Sequence, residues 1–224
     1  MKLGIVGYGK MGRMVEALAG ASGFEVCAIA DPAVGPIDER FEAADVVIEF
    51  TEPGVALQNL AALAALGKPV VMGTTGWFEQ LAEAQAIAKN AQIGFVYGAN
   101  FSIGVALFRQ IVAQAADRFQ SFPEYQPFAF ERHHAMKKDA PSGTLNMLVE
   151  TMHQAGFDRP IEVSSSRAGF VPGTHEIGFD SLADTITLSH VARSREGFAR
   201  GALHAAKWVI GKRGFFEFSD TLKT

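Results

Sequence analysis

The chain has 224 residues, 48% of them hydrophobic and 20% charged. It is long enough for one or two globular domains and too apolar for wholesale disorder. A net charge of −4, from 20 lysines and arginines against 24 aspartates and glutamates, gives no basic footprint for DNA or RNA, and a lone Cys27 excludes an intrachain disulfide and a cysteine-held zinc.

The apolar run Leu3–Val6, stopped by Gly7, predicts a strand buried on both faces. Its short length and lack of a cleavage site set it apart from a signal peptide. No apolar stretch approaches the ~20 residues of a membrane helix, so a soluble cytoplasmic protein without membrane contacts is expected. Residues 10–20 predict a helix with Met11, Met14, Val15, Leu18 and Ala19 on one side, ended by Gly20 and Gly23. Further strands are expected at 25–30, 45–50, 68–72 and 93–97, and helices at 53–66 and 77–89; residues 32–44 look like an irregular connector. This alternation predicts an α/β domain, a Rossmann-like doubly wound parallel sheet. Beyond residue 100 the pattern changes to helices at 103–119, 141–155 and 197–210, with strands at 128–134, 161–167, 173–179 and 184–190. That reads as a second, α+β domain built on an open mixed sheet. We divide the chain into a dinucleotide-binding domain, 1–101 plus 202–224, and a substrate-binding and oligomerisation domain, 102–201.

Gly7-Tyr8-Gly9-Lys10-Met11-Gly12 matches G-x-G-x-x-G directly after a predicted strand and at the mouth of a helix. Gly7 permits the tight turn, Gly9 a close backbone approach to a pyrophosphate, and Gly12 tight helix–strand packing. The helix N-terminus then faces the phosphates. A glycine-rich turn without a ligand is the alternative. Asp31, at the end of the second strand, is placed to accept from the adenosine ribose hydroxyls, and as part of Asp-Pro it also reads as a turn starter. No cation follows it directly, leaving Lys10 and Arg13 as possible partners for a 2′-phosphate, so NADH should serve at least as well as NADPH. Thr51-Glu52-Pro53-Gly54 and Gly73-Thr74-Thr75-Gly76 follow the third and fourth strands, where ligands bind in such sheets. An ordinary βα turn explains the first equally well.

The segment Glu131-Arg132-His133-His134-Ala135-Met136-Lys137-Lys138-Asp139-Ala140-Pro141-Ser142-Gly143-Thr144 offers a proton donor, a cation and a helix start at Pro141. Ser142, Gly143 and Thr144 would present backbone N–H groups to an anion there. A solvated basic loop and a plain capped helix start compete with this reading. A metal site is disfavoured by the lysines and by the absence of H-E-x-x-H spacing, so no metal is expected.

The run from Glu131 to Thr144 resembles the E-x-H-H-x-x-K-x-D-A-P-S-G-T motif of the 4-hydroxy-tetrahydrodipicolinate (dihydrodipicolinate) reductases of lysine biosynthesis. Gly73–Gly76, Gly98–Val105 and the run from Ser166 to His175 resemble further stretches of that family, and the likeness covers nearly the whole chain. The resemblance implies a homotetramer that reduces a cyclic dicarboxylate with NADH or NADPH. By position, it implies that His133 donates a proton, with Lys137 a possible second acid. It implies that His134, Lys137, Gly143 and Thr144 hold substrate. It assigns the cofactor to Gly7–Gly12, Asp31, Gly73, Thr74 and Thr75, with Gly98, Ala99, Asn100 and Phe101, and hinges near 99–102 and 199–202. The first loop is one residue shorter than the family's usual form and the 32–44 connector is brief, which bears on cofactor preference. Two rivals fare worse. Related sugar and amino-acid dehydrogenases often carry Glu-Lys-Pro where this chain has Gly73–Gly76, and a dinucleotide-sensing regulator would need a spare partner-binding module.

Overall fold

A computed structural model describes residues 1–223. It divides into two compact units, one formed by residues 1–103 with the segment from Glu196 onward, the other by residues 104–195.

The first unit is a six-stranded, wholly parallel sheet. Its strands are β1 (Lys2–Val6), β2 (Glu25–Ala30), β3 (Val46–Glu49), β4 (Val70–Met72), β5 (Gly94–Tyr97) and β10 (Gly214–Glu217), in the order β10-β5-β4-β3-β1-β2. Alternation along each strand feeds two cores. Val6, Val47, Val70, Met72 and Phe95 meet Leu60 and Leu63 of α2 (Pro53–Ala65) and Ala84 and Ala88 of α3 (Leu81–Asn90). On the other face lie α1 (Lys10–Ala19) and α6 (Glu196–Val209), which pack on each other, α6 also against β3 and β4. This is the doubly wound arrangement the alternation predicts.

Local differences have physical causes. The helix expected from Trp77 opens as a 3₁₀ turn, Phe78–Gln80, because the buried Trp77 indole donates to the Thr74 carbonyl at 2.7 Å and holds the chain back. The 32–44 connector contains a 3₁₀ turn, Glu39–Ala43, capped by Asp38 and anchored by fully buried Phe41. Strand β10 was not expected: four residues after Gly211 carry too little pattern, and only pairing with β5 makes them a strand.

The second unit joins α4 (Ile103–Phe119), β6 (Gln126–His133), α5 (Gly143–Gln154), β7 (Glu162–Arg167), β8 (Thr174–Asp180) and β9 (Thr185–Val191). Its mixed sheet runs β7-β6-β8-β9, with β6–β7 parallel and the other pairs antiparallel. Phe108, Val112 and Ala116 of α4 and Leu145, Leu148 and Met152 of α5 cover one face through Ala129, Ile177 and Phe179. The other face holds half-buried Phe128 and Phe130, with Val191 exposed on the edge strand β9; Ile186, paired with Phe179, lies on the helix-covered face at that same edge. The expected helix start moves by two residues. Pro141, in a cis peptide bond, lies outside the helix, and Ser142 is the N-cap, its hydroxyl accepting from Leu145 N–H at 3.2 Å.

Candidate active site

In the first unit the turn from β1 into α1 depends on three glycines. Gly7 has φ +88°, and a Cβ there would stand 2.0 Å from the Phe50 carbonyl oxygen. A Cβ on Gly12 would come equally close, 2.0 Å, to the Gly7 oxygen. At Gly9 a Cβ meets nothing within 4 Å; it would project into open space at the helix mouth. Gly9 is the N-cap of α1 without a side-chain cap, and the first turn has no acidic residue, so its N–H groups are available to an anion. Beside them lies a cavity of ≈ 720 Å³ lined by Gly7, Gly9, Asp31, Thr51, Glu52 and Asn59, among others. Those residues fit a dinucleotide: free amides for the pyrophosphate, an anion for the ribose, apolar walls.

Asp31 does both things its sequence context suggests. Its Oδ2 accepts from Tyr8 N–H at 2.8 Å and its Oδ1 from Ala33 N–H at 3.0 Å, the latter closing an Asp-Pro turn. These amides hold its carboxyl below the usual range, so it stays anionic. Arg13 is drawn to Tyr8, its guanidinium 4.7 Å from the ring centroid and its Nε donating to the Tyr8 carbonyl at 3.2 Å. The tertiary structure also brings up a cation that the sequence hides. Arg40, paired with Asp38 at 2.8 Å, comes within 3.3 Å of the place a Gly35 Cβ would occupy, beside the same cavity.

Behind the cavity sits Glu49, fully buried on β3. Its Oε1 accepts from the Thr51 hydroxyl and from Asn59 Nδ2, while Oε2 has no hydrogen-bond partner. Thr74 is buried and supports this floor, accepting from Thr51 N–H at 2.7 Å through its hydroxyl, whereas Thr75 is exposed. Phe101 is buried under Phe50 and Phe218, with ring centroids 6.2 and 4.7 Å away, so its side chain is core. Asn100 accepts from Ser102 N–H at 2.8 Å.

The second unit gathers the histidine–lysine run around a buried carboxylate. Glu131 accepts at Oε1 from Ser142 N–H at 2.9 Å, the Ser165 hydroxyl at 3.0 Å and the Arg167 guanidinium at 2.7 Å, and at Oε2 from the Ser142 hydroxyl. Burial pushes its carboxyl up, but these donors outweigh burial and hold it below the ordinary range. The Ser142 amide is therefore spent on Glu131. The anion-facing amides reduce to those of Gly143 and Thr144, whose first-turn position leaves them without intrahelical partners. A Cβ on Gly143 would meet nothing within 4 Å.

His133 and His175 flank Glu131 Oε2, at 3.6 Å from Nδ1 and 3.7 Å from Nε2 respectively. Burial lowers both imidazoles, His175 to about 4, helped by the charge of His133. Glu131, His133 and His175 have the spacing of a metal site, all within 4.8 Å, but the Arg167 guanidinium already lies on the carboxylate and opposes a cation. Lys137 turns its Nζ to both oxygens of Asp139, at 2.8 Å each, so a substrate carboxylate competes with that contact. His134 is half-buried and Met136 exposed. The sequence singled out the run from Ser166 to His175; it did not show that Arg167 and His175 close on Glu131, which is a matter of β6 pairing with β7 on one side and β8 on the other.

A family model described as "Dihydrodipicolinate reductase, N-terminus" matches residues 1–101, and its C-terminal counterpart matches residues 104–222. The chain belongs to the dihydrodipicolinate reductase family. A relative named 4-hydroxy-tetrahydrodipicolinate reductase from Christiangramia forsetii is 33% identical over 99% of this chain and 98% of its own. One of the same name from Xanthomonas euvesicatoria pv. vesicatoria is 43% identical over 76% of this chain and 69% of its own. Among solved structures, a dipicolinate-bound dihydrodipicolinate reductase from Paenisporosarcina sp. TG-14 shares the fold, with a TM-score of 0.81, 21% identity and coverage of 98% of both chains. As a member of the dihydrodipicolinate reductase family the protein is an oxidoreductase, with a Rossmann-type unit suited to a pyridine nucleotide. No helix among the described residues is long and apolar enough to cross a membrane.

In this reductase Glu49 has no cation, and burial raises its carboxyl above the usual value of 4.5. The folded state thus holds its proton more tightly than the unfolded chain. The stabilising contribution is complete below about pH 4.5 and is lost as pH rises through the raised folded value. Urea unfolding across pH 4 to 8 is expected to show this loss in the native protein and a flatter profile in Glu49→Gln.

Proposed function

We propose that the protein catalyses NAD(P)H-dependent reduction of 4-hydroxy-tetrahydrodipicolinate to tetrahydrodipicolinate in diaminopimelate and lysine biosynthesis, in the cytoplasm. The observation that carries this reading is the seating of His133 against Glu131, with Ser142 fixing the start of α5, in a chain that also bears an open-mouthed glycine turn. Full-length similarity to relatives bearing the reductase name supports it.

Reduction first requires loss of water from C4 of the substrate, giving a conjugated dihydropyridine. A reduced nicotinamide, when bound, supplies the hydride for C4. The amides at the mouth of α1 and the Asp31 carboxylate hold the dinucleotide. Gly143 and Thr144 amides, with Lys137 released from Asp139 and His134 beside them, bind the substrate carboxylates. His133, in its imidazolium form, supplies the proton that completes the reduction. Because burial lowers this histidine, protonated His133 is a stronger acid than an exposed one and is populated at lower pH. Lys137 is the second candidate for this step.

Oxidation of NADH is expected only when freshly made condensation product of the lysine pathway is present; no dependence on that product would overturn the assignment. His133→Ala is expected to lower kcat about 10²–10⁴-fold with little change in KM, and Lys137→Ala to damage both. Fluorescence titration is expected to show NADH binding intact in both variants. Near-normal turnover in both would reduce the run to a solvated loop.

For the cofactor, the anionic Asp31 disfavours a 2′-phosphate, so steady-state kinetics are expected to give NADH a kcat/KM at least equal to that of NADPH. A tenfold preference for NADPH, removed by Arg40→Ala, would instead assign the phosphate to Arg40. For assembly, the sheet face left uncovered by α4 and α5, with Phe128, Phe130 and Val191, supports a homotetramer formed through the second unit. Light scattering at micromolar concentration is expected to report four copies of the 24.0 kDa chain rather than one.

A further inference from the structure

The proposed reaction gives the buried carboxylate of Glu131 no step of its own. Strand alternation puts Glu131 and His133, two residues apart, on the same buried face of β6. Three donors occupy Oε1, whereas Oε2 receives only the Ser142 hydroxyl and has an acceptor site left. That oxygen lies 3.6 Å from His133 Nδ1, an ion-pair distance. Nδ1 itself is buried and has no hydrogen-bond partner, in a side chain only 9% exposed. The opposite edge of the ring is bordered by a residue without a side chain. Nε2 faces Gly173, where a Cβ would stand 3.1 Å away.

We propose that Glu131 is a positioning residue for His133: its Oε2 holds the imidazole in the tautomer with hydrogen on Nδ1 and so reserves Nε2 for carrying the transferred proton. This rests on the reading of His133 as the proton donor. A lone pair on Nδ1 turned toward a buried anion is repelled, and an N–H is attracted, so the carboxylate chooses the tautomer. Protonation then adds the second hydrogen at Nε2. In the transfer the Nε2–H bond breaks, its hydrogen leaves as a proton for the hydride-reduced ring, and neutral His133 returns to the Nδ1–H form, to be recharged at Nε2 from solvent.

The charges facing His133 come from every side. Glu131 on β6 and Asp139 in the following loop favour its imidazolium; Lys137 from that loop and Arg167 from β7 oppose it. His175 from β8 meets it edge-on, with ring centroids 5.0 Å apart, and has His190 of β9 among its own neighbours. Removing the carboxylate leaves the Arg167 charge unopposed, so the imidazolium should be disfavoured further.

The test is long-range ¹H–¹⁵N spectroscopy on histidine-labelled protein. In the native protein the neutral His133 ring is expected as the Nδ1–H tautomer. In Glu131→Gln it is expected to become a mixture, with its titration lowered by about one pH unit or more, and the histidine limb of the kcat–pH profile is expected to move the same way. NADH affinity should be unchanged. A change in melting temperature alone, with tautomer and titration unmoved, overturns the proposal. So does an Nε2–H tautomer in the native protein, a measurement that stands even where Glu131→Gln does not fold. Failure to reduce the dicarboxylate would sink the functional reading instead and leave the tautomer result intact, so the two failures are told apart.

Discussion

A carboxylate removed from water must be met by donors, and in the second unit that requirement organises nearly everything near the histidine–lysine run. Glu131 is fully buried, and its partners come from four separate places: the N-cap of α5, two positions on β7, and the strand face shared with β8. Two of the partners have a second duty. Ser142 caps α5 through Leu145 while bonding Glu131, so the helix start and the strand are fixed by one hydroxyl. Arg167 bonds both the carboxylate and the Asp139 carbonyl, tying the loop that carries Lys137 to the sheet. Removing the Arg167 guanidinium, the charged partner, would cost about 3–5 kcal/mol, the scale of a broken buried ion pair.

The first unit treats its own buried acid differently. Glu49 has hydroxyl and amide donors on one oxygen, none on the other, and no cation. Its anion is therefore disfavoured, whereas that of Glu131 is favoured, although both are fully buried at strand positions facing a helix layer. The difference is the donor set: the Ser142 hydroxyl and amide, the Arg167 guanidinium and the Ser165 hydroxyl together outweigh burial at Glu131, whereas the donors around Glu49 do not. One carboxylate serves as a neutral-leaning floor under Thr51 and Asn59 of the cofactor cavity, the other as a fixed negative charge beside imidazoles.

The parts legible in the sequence were those that local pattern encodes. Strand alternation, the helix stripes and the glycine turn depend on neighbours within a few residues, so β1, β2, α2 and α4 fall close to their expected spans. The Glu131–Thr144 run was legible through its family likeness. What was not legible depends on partners distant in the chain. Strand β10 is a strand only because β5 offers an edge; Pro141 stays out of α5 because Ser142 is pulled to Glu131; Arg40 approaches the cavity only because Phe41 pins a 3₁₀ turn to the core. The Thr51–Gly54 turn, indistinct as a motif, lines the cavity because Gly7 allows the Phe50 backbone to press against it.

The late arrival of β10 has a consequence during synthesis. The parallel edge of β5 is paired by residues that follow the entire second unit in the chain. While a ribosome is making residues 104–195, the first sheet stands with five of its strands made, a bare edge on β5, and without the α6 layer that covers one face. The second unit, continuous in sequence, can complete itself in that interval, but the first cannot close until the chain returns. A nascent molecule thus carries an exposed parallel edge and an apolar sheet face for the time needed to translate a whole domain, the kind of surface that holding chaperones recognise.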